Sequence, residues 1–578
     1  MEIFPNEQEI DQAADILVNK YGVSQQLLAK LLGESQRDQA NVLLRKLGPG
    51  NLTKLQVARL LVLRKGPELF CGSTKSVREL RLKLLSKLTD KEIAELCACH
   101  PPTNKKINSP SFMRKPLAEM KWVARGPWPK DFVKVLCFPE IFAGVRETDV
   151  KPTIEDVPRK KKTPELADFQ LKLKDRMLVV LAKEGNKTRC MVTLPTGTGK
   201  TRIAVEAFIH WMQERFANRQ YMLWIAQSEE LCEQAVACIQ DVWGAKEYSS
   251  DLRIYRYFQS RDIPIHELRG GAVVCSIQQL YNRIKGKDKA LDIILRNTGA
   301  MIIDEAHHAD SKMYTSLLDQ AKKLAGHDMF PICGLTATPG KAGSSGADRT
   351  LFLADRFQWY LVSPELPQAY ESNPLKYFRV KNYLANPHHI LVNSHQEYEL
   401  SEQEVEQMKS EPDLPTGFLK RLASDNKRNT LIIKRLLQIP KGKPTLFYAC
   451  TVEHAYFISI ILEASGGRSA AAISSDTPIT IRRGLIEKFK RGEIDFLCNF
   501  GVLTTGFDAP KTECIAIARP TRSDVLYEQI VGRGLRGPAF GGTVSCDVID
   551  FADNIIRLGK PLSYARFQHL WVTEKEEG

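Results

Sequence analysis

The sequence predicts an α/β protein in which two tandem parallel-sheet domains follow an all-helical N-terminal domain. After about residue 166, apolar runs alternate with helical stretches, first as RCMVTL, YMLWIAQ, AVVCSI, AMIIDEA and PICGLTAT, then as PTLFYAC, AAAISS, IDFLCN, CIAIARP and SCDVIDF. Apolar strands separated by helices are typical of parallel sheets with both faces covered. Two such series predict two sheets, and 578 residues are too many for one core.

Residues 1–100 are expected to form the helical domain, because their leucines recur at helical spacing. These leucines are Leu27, Leu28, Leu31 and Leu32, and then Leu80, Leu84, Leu85 and Leu88. The run VSQQLLAKLLGES is compatible with the first helix and turn of a helix-turn-helix, but an ordinary helical hairpin is favoured because this spacing is common.

Charge and cysteine content limit the class of protein. The formal net charge of +14 suits a polyanionic partner, and residues 51–150 alone carry 19 basic and 10 acidic residues. The 13 cysteines are odd in number and mostly lie in apolar runs, which favours reduced thiols. We find no signal peptide in MEIFPNEQEI and no apolar run near the ~20 residues that span a membrane. We therefore expect a cytoplasmic protein, nucleoid-associated if bacterial, without a membrane partner.

Residues 101–165 are expected to form a basic connector rich in proline. Its run KWVARGPWPKDF places Trp122, Arg125 and Trp128 together, so the rings could stack on bases while the arginine holds a phosphate. Equally, the two tryptophans could dock this segment onto a neighbouring domain. The remaining expected divisions are a first sheet domain at 166–340, an inter-domain segment at 341–440, a second sheet domain at 441–566 and a tail at 567–578.

A phosphate-binding loop is predicted at LPTGTGKTR, which follows a strand and opens a helix. Glycines at 197 and 199 let backbone N–H groups approach phosphate oxygens, Lys200 can reach the β and γ phosphates, and Thr201 can ligate Mg²⁺. Leu194 replaces the first glycine of the general pattern. We predict that the loop binds ATP through Thr196, Gly197, Thr198, Gly199, Lys200, Thr201 and Arg202.

A second strand, in MIIDEAHHAD, ends in the adjacent carboxylates Asp304 and Glu305. At the carboxyl edge of a parallel sheet beside a phosphate loop, Asp304 suits a Mg²⁺ ligand and Glu305 suits the residue that orients or activates water. Taken alone, His307 is more typical of a packing or surface histidine than of a functional one.

The order of five motifs resembles superfamily 2 helicases and translocases. These motifs are PTGTGKT, DEAH at 304–307, TATP at 336–339, TTGFDAP at 504–510 and QIVGRGLR at 529–536. The resemblance covers about residues 166–560 and implies two RecA-like domains of the P-loop NTPase class. TATP and GRGLR, in place of SAT and GRAGR, are most similar to the DNA repair and restriction branch, which includes type I and III restriction motors, UvsW and RadD.

The resemblance also implies roles for further residues of the first sheet domain. Gln170 resembles an adenine-reading glutamine, although a solvent-facing glutamine is an alternative. Thr336 and Thr338 resemble the motif that couples nucleotide state to strand binding, with turn chemistry before Pro339 as the alternative. Contacts to the nucleic-acid backbone are implied for Gln227, Ser228, Ser276 and Gln278, which could otherwise cap helices.

In the second sheet domain the resemblance implies contacts to both nucleic acid and the nucleotide. Thr504 is expected to contact nucleic acid, and Gly506 and Asp508 to contact the nucleotide, although Thr505 stands where the family often has glutamate. Tyr448 and Thr451 are expected to contact the nucleic-acid backbone, with a buried tyrosine as the alternative.

QIVGRGLR supplies the last catalytic group. If YEQIVGRGLR is helical, Gln529, Arg533 and Arg536 fall on one face. An arginine donated across a cleft adds roughly 10³ to 10⁵ in rate in related phosphoryl transfers. Arg533 lies far beyond one α/β domain from Lys200, so a nucleotide that both contact must lie between two domains.

These motifs predict an ATP-dependent DNA helicase or translocase. Nucleic-acid-stimulated hydrolysis between two domains would drive movement on DNA, in repair or in defence against foreign DNA, and other subunits could bind through the N-terminal region. An RNA helicase remains an alternative within the class. An ATP-gated clamp or scaffold in a larger complex is the alternative from another class.

Overall fold

The computed structural model describes most of the chain and sets the frame for the site. The described residues are 3–48, 50–101, 110–145, 151–157, 164–213, 220–244, 251–259, 261–326, 330–338, 346–370, 373–410, 413–465, 467–503, 509–521, 524–557 and 560–562. Within them, no helix has the length and apolarity needed to cross a membrane.

The N-terminal domain is helical, as the leucine spacing predicts. Its helices are α1 (Glu7–Asp15), α2 (Gln25–Leu32), α3 (Glu34–Leu47), α4 (Lys54–Lys65), α5 (Lys75–Leu85), α6 (Asp90–Cys99), α7 (Pro110–Glu119) and α8 (Pro127–Val135). Thr53 and Thr89 begin α4 and α6 with reciprocal capping bonds to Gln56 and Glu92. Because α7 and α8 also belong to this domain, it extends past the boundary expected at residue 100.

The tryptophans of the expected connector lie in the core of this helical domain. Trp122 and Trp128 are 9% and 4% exposed, and both rings pack against Phe132. Trp122 also contacts Phe70. Base stacking by these two rings is therefore a wrong prediction, and docking is correct, because the domain needs their large apolar surfaces to fill its core.

Polar residues near these tryptophans also form contacts within the helical domain. Arg125 is half-buried at φ +55°, and its backbone N–H donates to Ala143. His100, which ends the run CACH, lies 2.8 Å from the Asp131 carboxylate. The described residues contain no group of three or more His, Cys, Asp or Glu side chains that could hold a metal ion.

The first sheet spans the expected first domain and takes one strand from each flanking segment. Its strands are β1 (Ile154–Val157), β2 (Arg189–Thr193), β3 (Tyr221–Ala226), β4 (Leu252–Tyr257), β5 (Gly271–Ser276), β6 (Thr298–Ile303), β7 (Ile332–Thr336) and β8 (Leu361–Val362). Their order is β1-β4-β5-β3-β6-β7-β2-β8, and only the β1–β4 pair is antiparallel. The expected connector thus provides β1, and the expected inter-domain segment provides β8.

Helices cover both faces of this sheet. They are α9 (Asp168–Ala182), α10 (Lys200–Gln213), α11 (Glu229–Gly244), α12 (Ile277–Lys285), α13 (Lys289–Arg296), α14 (Lys312–Ala325) and α15 (Gly346–Arg356). Along β3, Met222 and Trp224 belong to one apolar core, and Leu223 and Ile225 to another. The continuous apolar strand is buried on both faces, as the sequence predicts.

The second sheet has a parallel centre. Its strands are β9 (Asn386–Glu399), β10 (Thr445–Tyr448), β11 (Ala470–Ser474), β12 (Phe496–Phe500), β13 (Cys514–Ile517), β14 (Ser545–Arg557) and β15 (Lys560–Leu562). The order is β11-β12-β10-β13-β14, with β9 pairing parallel and β15 antiparallel to β14. The helices are α16 (Pro374–Val380), α17 (Glu402–Ser410), α18 (Thr416–Ser424), α19 (Asn426–Leu437), α20 (Val452–Ala464), α21 (Ile479–Lys490) and α22 (Asp524–Val531). The expected inter-domain segment therefore contributes β9 as well.

The helical domain docks on α20 and α21 of the second sheet domain. Lys488, whose side chain is 1% exposed, lies 2.7 Å from Glu7 of α1. Arg59 pairs with Glu463, and Phe4 packs against Gly484, where a Cβ would lie 2.4 Å from the phenylalanine. A buried cation, an ion pair and a close apolar contact therefore join the two domains.

Candidate active site

A cavity of about 810 Å³ lies between the carboxyl edge of the first sheet and the turn that follows α22. Predicted nucleotide residues from both sheet domains line it. They are Gln170, Thr196, Gly197, Gly199, Lys200, Thr201, Arg202, Asp304 and Glu305 from the first domain, and Arg533 and Arg536 from the second. The cavity brings together motifs that lie more than 300 residues apart in the chain.

The phosphate loop connects β2 to α10. Gly197 and Gly199 both have φ +88°, a backbone angle that residues with a side chain rarely adopt. The Lys200 ammonium donates to the Leu194 carbonyl at 3.1 Å, while the Leu194 side chain is 2% exposed. Leu194 therefore supplies a core side chain and a backbone acceptor, and neither role requires the missing glycine.

Gln170 supports this loop from α9. Its side-chain oxygen accepts from Ala167 N–H at 3.0 Å, and its amide nitrogen donates to the Thr198 carbonyl at 3.0 Å. It is 3% exposed, so the solvent-facing alternative is wrong. A Cβ on Gly199 would lie 2.7 Å from the Gln170 amide, which explains a glycine at that position. Adenine recognition by Gln170 stays a prediction.

The other polar loop residues are held locally. The Thr198 hydroxyl donates to the Pro195 carbonyl at 2.7 Å, and Thr198 is fully buried beneath the loop. Arg202 lies 2.6 Å from the Glu206 carboxylate, one turn further along α10. The Arg202 guanidinium is thereby oriented at the cavity wall.

The two carboxylates follow β6. Asp304 and Glu305 are 5% and 9% exposed, and Glu305 N–H donates to the Asp304 carboxylate at 3.0 Å. Burial, together with the Glu305 charge, raises the pKa of Asp304 to about 7, although Lys200 opposes the shift. Burial also lowers the pKa of Lys200, against the attraction of both carboxylates. The two carboxylates line the same cavity as Thr201. Carboxylate and hydroxyl oxygens are donor types that Mg²⁺ prefers, so these residues fit the ion.

Backbone strain marks the same position. Glu305 has φ +50°, in the left-handed region, although it is not a glycine. Such residues cost about 1 to 3 kcal/mol and cluster at functional sites. The strain is consistent with a fixed orientation of the Glu305 carboxylate.

His307 links the carboxylates to the loop that follows β7. Its Nδ1 lies 3.0 Å from the Thr336 hydroxyl and 3.4 Å from the Glu305 carboxylate. The Thr336 oxygen also accepts from Thr338 N–H at 3.1 Å. His307 and Thr336 are 4% and 0% exposed, so the link is buried. The turn chemistry proposed as an alternative is present together with a contact to the DEAH run.

The arginine segment is not one continuous helix. α22 ends at Val531, and Arg533 and Arg536 follow it, so the prediction of a shared helical face is wrong for both. A Cβ on Gly532 would lie 2.5 Å from Thr196, and one on Gly534 would lie 2.3 Å from the Cys546 sulfur. Gly532 therefore lets the turn approach the phosphate loop, and Gly534 lets it pack closely against β14.

Two of the three predicted side chains of the arginine segment nevertheless reach the cavity. Both arginines line the cavity, and the Arg533 charge acts on Lys200 and Asp304. The Arg536 backbone forms an antiparallel β-bridge with Leu384. It also lies close to the phosphate loop, since a Cβ on Gly197 would be 3.6 Å from the Arg536 backbone nitrogen. Gln529 is buried in α22 and does not line the cavity.

The predicted backbone contacts of the first domain follow β3 and β5, which are adjacent strands. Ser228 and Ser276 accept from backbone N–H groups at the starts of α11 and α12, so the helix-cap alternative holds for both. Gln227 is half-buried, and Gln278 is exposed. Gln278 is therefore the most accessible of these four residues, whereas Gln227 is half-buried like Ser228.

The predicted nucleic-acid contacts Tyr448 and Thr451 of the second domain also form internal hydrogen bonds. The Tyr448 hydroxyl donates to the Leu503 carbonyl at 3.1 Å, and the ring is 2% exposed, which is the buried alternative. Thr451 caps α20 by accepting from His454 N–H. Thr504, Gly506 and Asp508 lie outside the described residues.

Sequence reasoning missed a charged pair that lines the same cavity. Glu233 of α11 and Arg483 of α21 line it and lie 3.2 Å apart. No motif spacing marks either residue, because they are partners only when the two domains face each other.

Two families match the chain along this same architecture. The family described as "Type III restriction enzyme, res subunit" matches residues 163–341, and the family described as "Helicase conserved C-terminal domain" matches residues 428–537. The chain belongs to superfamily 2 of the helicases. Each matched range covers most of one RecA-like domain, so the tandem RecA-like fold with a preceding helical region is confirmed.

Similar proteins include helicases from several sources. A putative ATP-dependent helicase of Saccharomyces cerevisiae, IRC3, is 27% identical over 69% of this superfamily 2 chain and 53% of its own length. The ATP-dependent RNA helicase DDX51 of Danio rerio is 24% identical over 61% of this chain and 53% of its own. A structure of the DEAD-box helicase Mss116 bound to single-stranded RNA aligns with a TM-score of 0.48 at 16% identity, covering 69% of this chain and 76% of that one. The chain spans about half the length of the curated relatives it matches.

Proposed function

We propose that the chain hydrolyses ATP in the cavity between its RecA-like domains and uses the cycle to move on or remodel DNA. The observation that carries the proposal is the approach of the Gly532–Arg533 turn to the phosphate loop, with Arg533 and Lys200 lining one cavity. A positive charge from each domain can stabilise a transferring γ phosphate only while the cleft is closed.

The residues divide the chemical work. Lys200 and the loop N–H groups would bind the phosphates, and Glu305 would orient the attacking water. Asp304 and Thr201 would hold Mg²⁺, which when bound draws charge from the phosphate oxygens. Arg533 would complete the site from the second domain, so hydrolysis would be tied to closure. Opening after hydrolysis would then alternate the grip of the two domains on a strand.

DNA is the proposed partner, and three observations support it. One matched family is described as a restriction enzyme subunit, the motif variants resemble the repair and restriction branch, and the formal charge is +14. Roles in repair or in defence against foreign DNA, further subunits and a cytoplasmic or nucleoid location remain predictions. RNA stays the second candidate because one relative is named an RNA helicase.

The test is ATP turnover by the full chain with no nucleic acid, single-stranded DNA, duplex DNA, forked DNA and RNA. A triplex-displacement assay runs in parallel, with Lys200→Ala as the inactive control. We expect DNA to stimulate turnover and triplex displacement to require ATP. Stimulation by RNA alone would overturn the DNA proposal. DNA stimulation without displacement would favour the ATP-gated clamp.

A further inference from the structure

A second set of contacts joins the RecA-like domains through residues outside the phosphate loop. Arg483 of α21 lies 3.2 Å from Glu233 of α11. The adjacent Arg482 pairs with Glu230, which lies about one turn before Glu233 in α11. The Arg483 and Glu233 side chains are 15% and 7% exposed. Salt screens such sheltered pairs much less than surface pairs.

Glu233 is held by cations from three parts of the chain. Besides Arg483, Lys151 lies 2.9 Å away, just before β1, and Arg256 of β4 lies 3.5 Å away. Burial alone would raise the pKa of Glu233, but these three cations hold it below its ordinary value. The carboxylate is therefore ionised at neutral pH.

Of the three cations, only Arg483 comes from the second domain. Lys151 and Arg256 are both fixed to the first sheet, because β1 pairs antiparallel with β4. If the cleft opened, these two would keep Glu233 paired, so losing Arg483 would not leave a bare buried charge. The arrangement suits a contact that forms and breaks repeatedly.

We propose that Arg483, assisted by Arg482, is a positioning residue that clasps α11 when the cleft closes. The clasp holds the second domain where its Gly532–Arg533 turn meets the phosphate loop, and it acts on the nucleotide only through Arg533. This inference rests on the proposed ATPase function. Because ATP would bind the closed state best, a weaker clasp reduces the closed fraction and raises the apparent dissociation constant in proportion.

The first test is the kinetics of Arg483→Gln. The KM for ATP should rise about 10-fold, while kcat stays near the original value, because saturating ATP restores closure. Arg483→Lys should recover most of the KM. Arg491→Gln is the matched control, because Arg491 directly follows the same helix, pairs with Glu493 in its own domain and has a 59% exposed side chain. An unchanged KM in Arg483→Gln, or a fall in kcat alone, would overturn the clasp.

The second test needs no turnover. Small-angle X-ray scattering of the full chain, titrated with a non-hydrolysable ATP analogue, reports compaction of the two domains. Arg483→Gln should require about 10-fold more analogue to reach the compact state. Glu233→Gln should shift the titration in the same way, and it replaces Arg483→Gln if that variant folds poorly. Equal titration curves would refute the clasp. An inactive wild-type chain that still compacts would instead count against the ATPase proposal.

Discussion

Replacement of Thr336 by valine tests whether the buried link passes the nucleotide state to the loops predicted to contact nucleic acid. Valine keeps the shape of threonine but removes the oxygen that joins His307 to Thr338 N–H, at 3.0 and 3.1 Å. A typical intramolecular hydrogen bond contributes about 1 kcal/mol to stability. Losing both bonds to the Thr336 oxygen therefore costs about 2 kcal/mol, or roughly 30-fold in an equilibrium or rate.

We expect this loss in coupling rather than in ATP binding. Thr336 is fully buried and does not line the cavity, whereas Glu305, which contacts His307, does line it. The assay is the ratio of ATP turnover with and without DNA, beside the dissociation constant of a fluorescent ATP analogue. Thr430→Val is the control, because the Thr430 hydroxyl bonds only locally on the exposed side of α19. A wild-type stimulation ratio in Thr336→Val would refute the reasoning.

Four further changes test other parts of the molecule. Lys200→Ala should weaken ATP binding or turnover, because the cavity loses the ammonium proposed to bind the phosphates; equilibrium binding and turnover measure this, and unaltered values would contradict the proposed loop function. Arg533→Ala should spare binding but lower turnover roughly 10³-fold or more, and full activity would disprove the shared site. Lys488→Met should speed hydrogen exchange in α1, because Glu7 loses its buried partner; unchanged exchange would mean that the ion pair does not hold the domain. Trp128→Ala should cost the helical domain about 3 to 5 kcal/mol in denaturant unfolding and leave the DNA affinity of the folded chain unchanged, whereas a selective loss of affinity would restore base stacking.

The residues that could be predicted are those whose chemistry is local. Gly197, Gly199 and Lys200 form a loop through their own backbone preferences, and Asp304 follows a buried strand whose carboxyl end must meet that loop in a parallel sheet. Trp122 and Trp128 could not be assigned, because the same amphipathic rings suit a base or a core. Their burial depends on Phe70 and Phe132 lying nearby in space.

The order of motifs and the alternation of strands and helices were enough to predict two parallel sheets and the phosphate loop, because backbone geometry and burial periodicity act over short stretches. Tertiary structure alone decided that α22 stops before Arg533, since the contact of Gly532 with Thr196 lies across the cleft. It also decided that Glu233 receives three cations, from Lys151, Arg256 and Arg483. Such pairings depend on how folded domains are placed against each other, and no spacing along the chain encodes that distance.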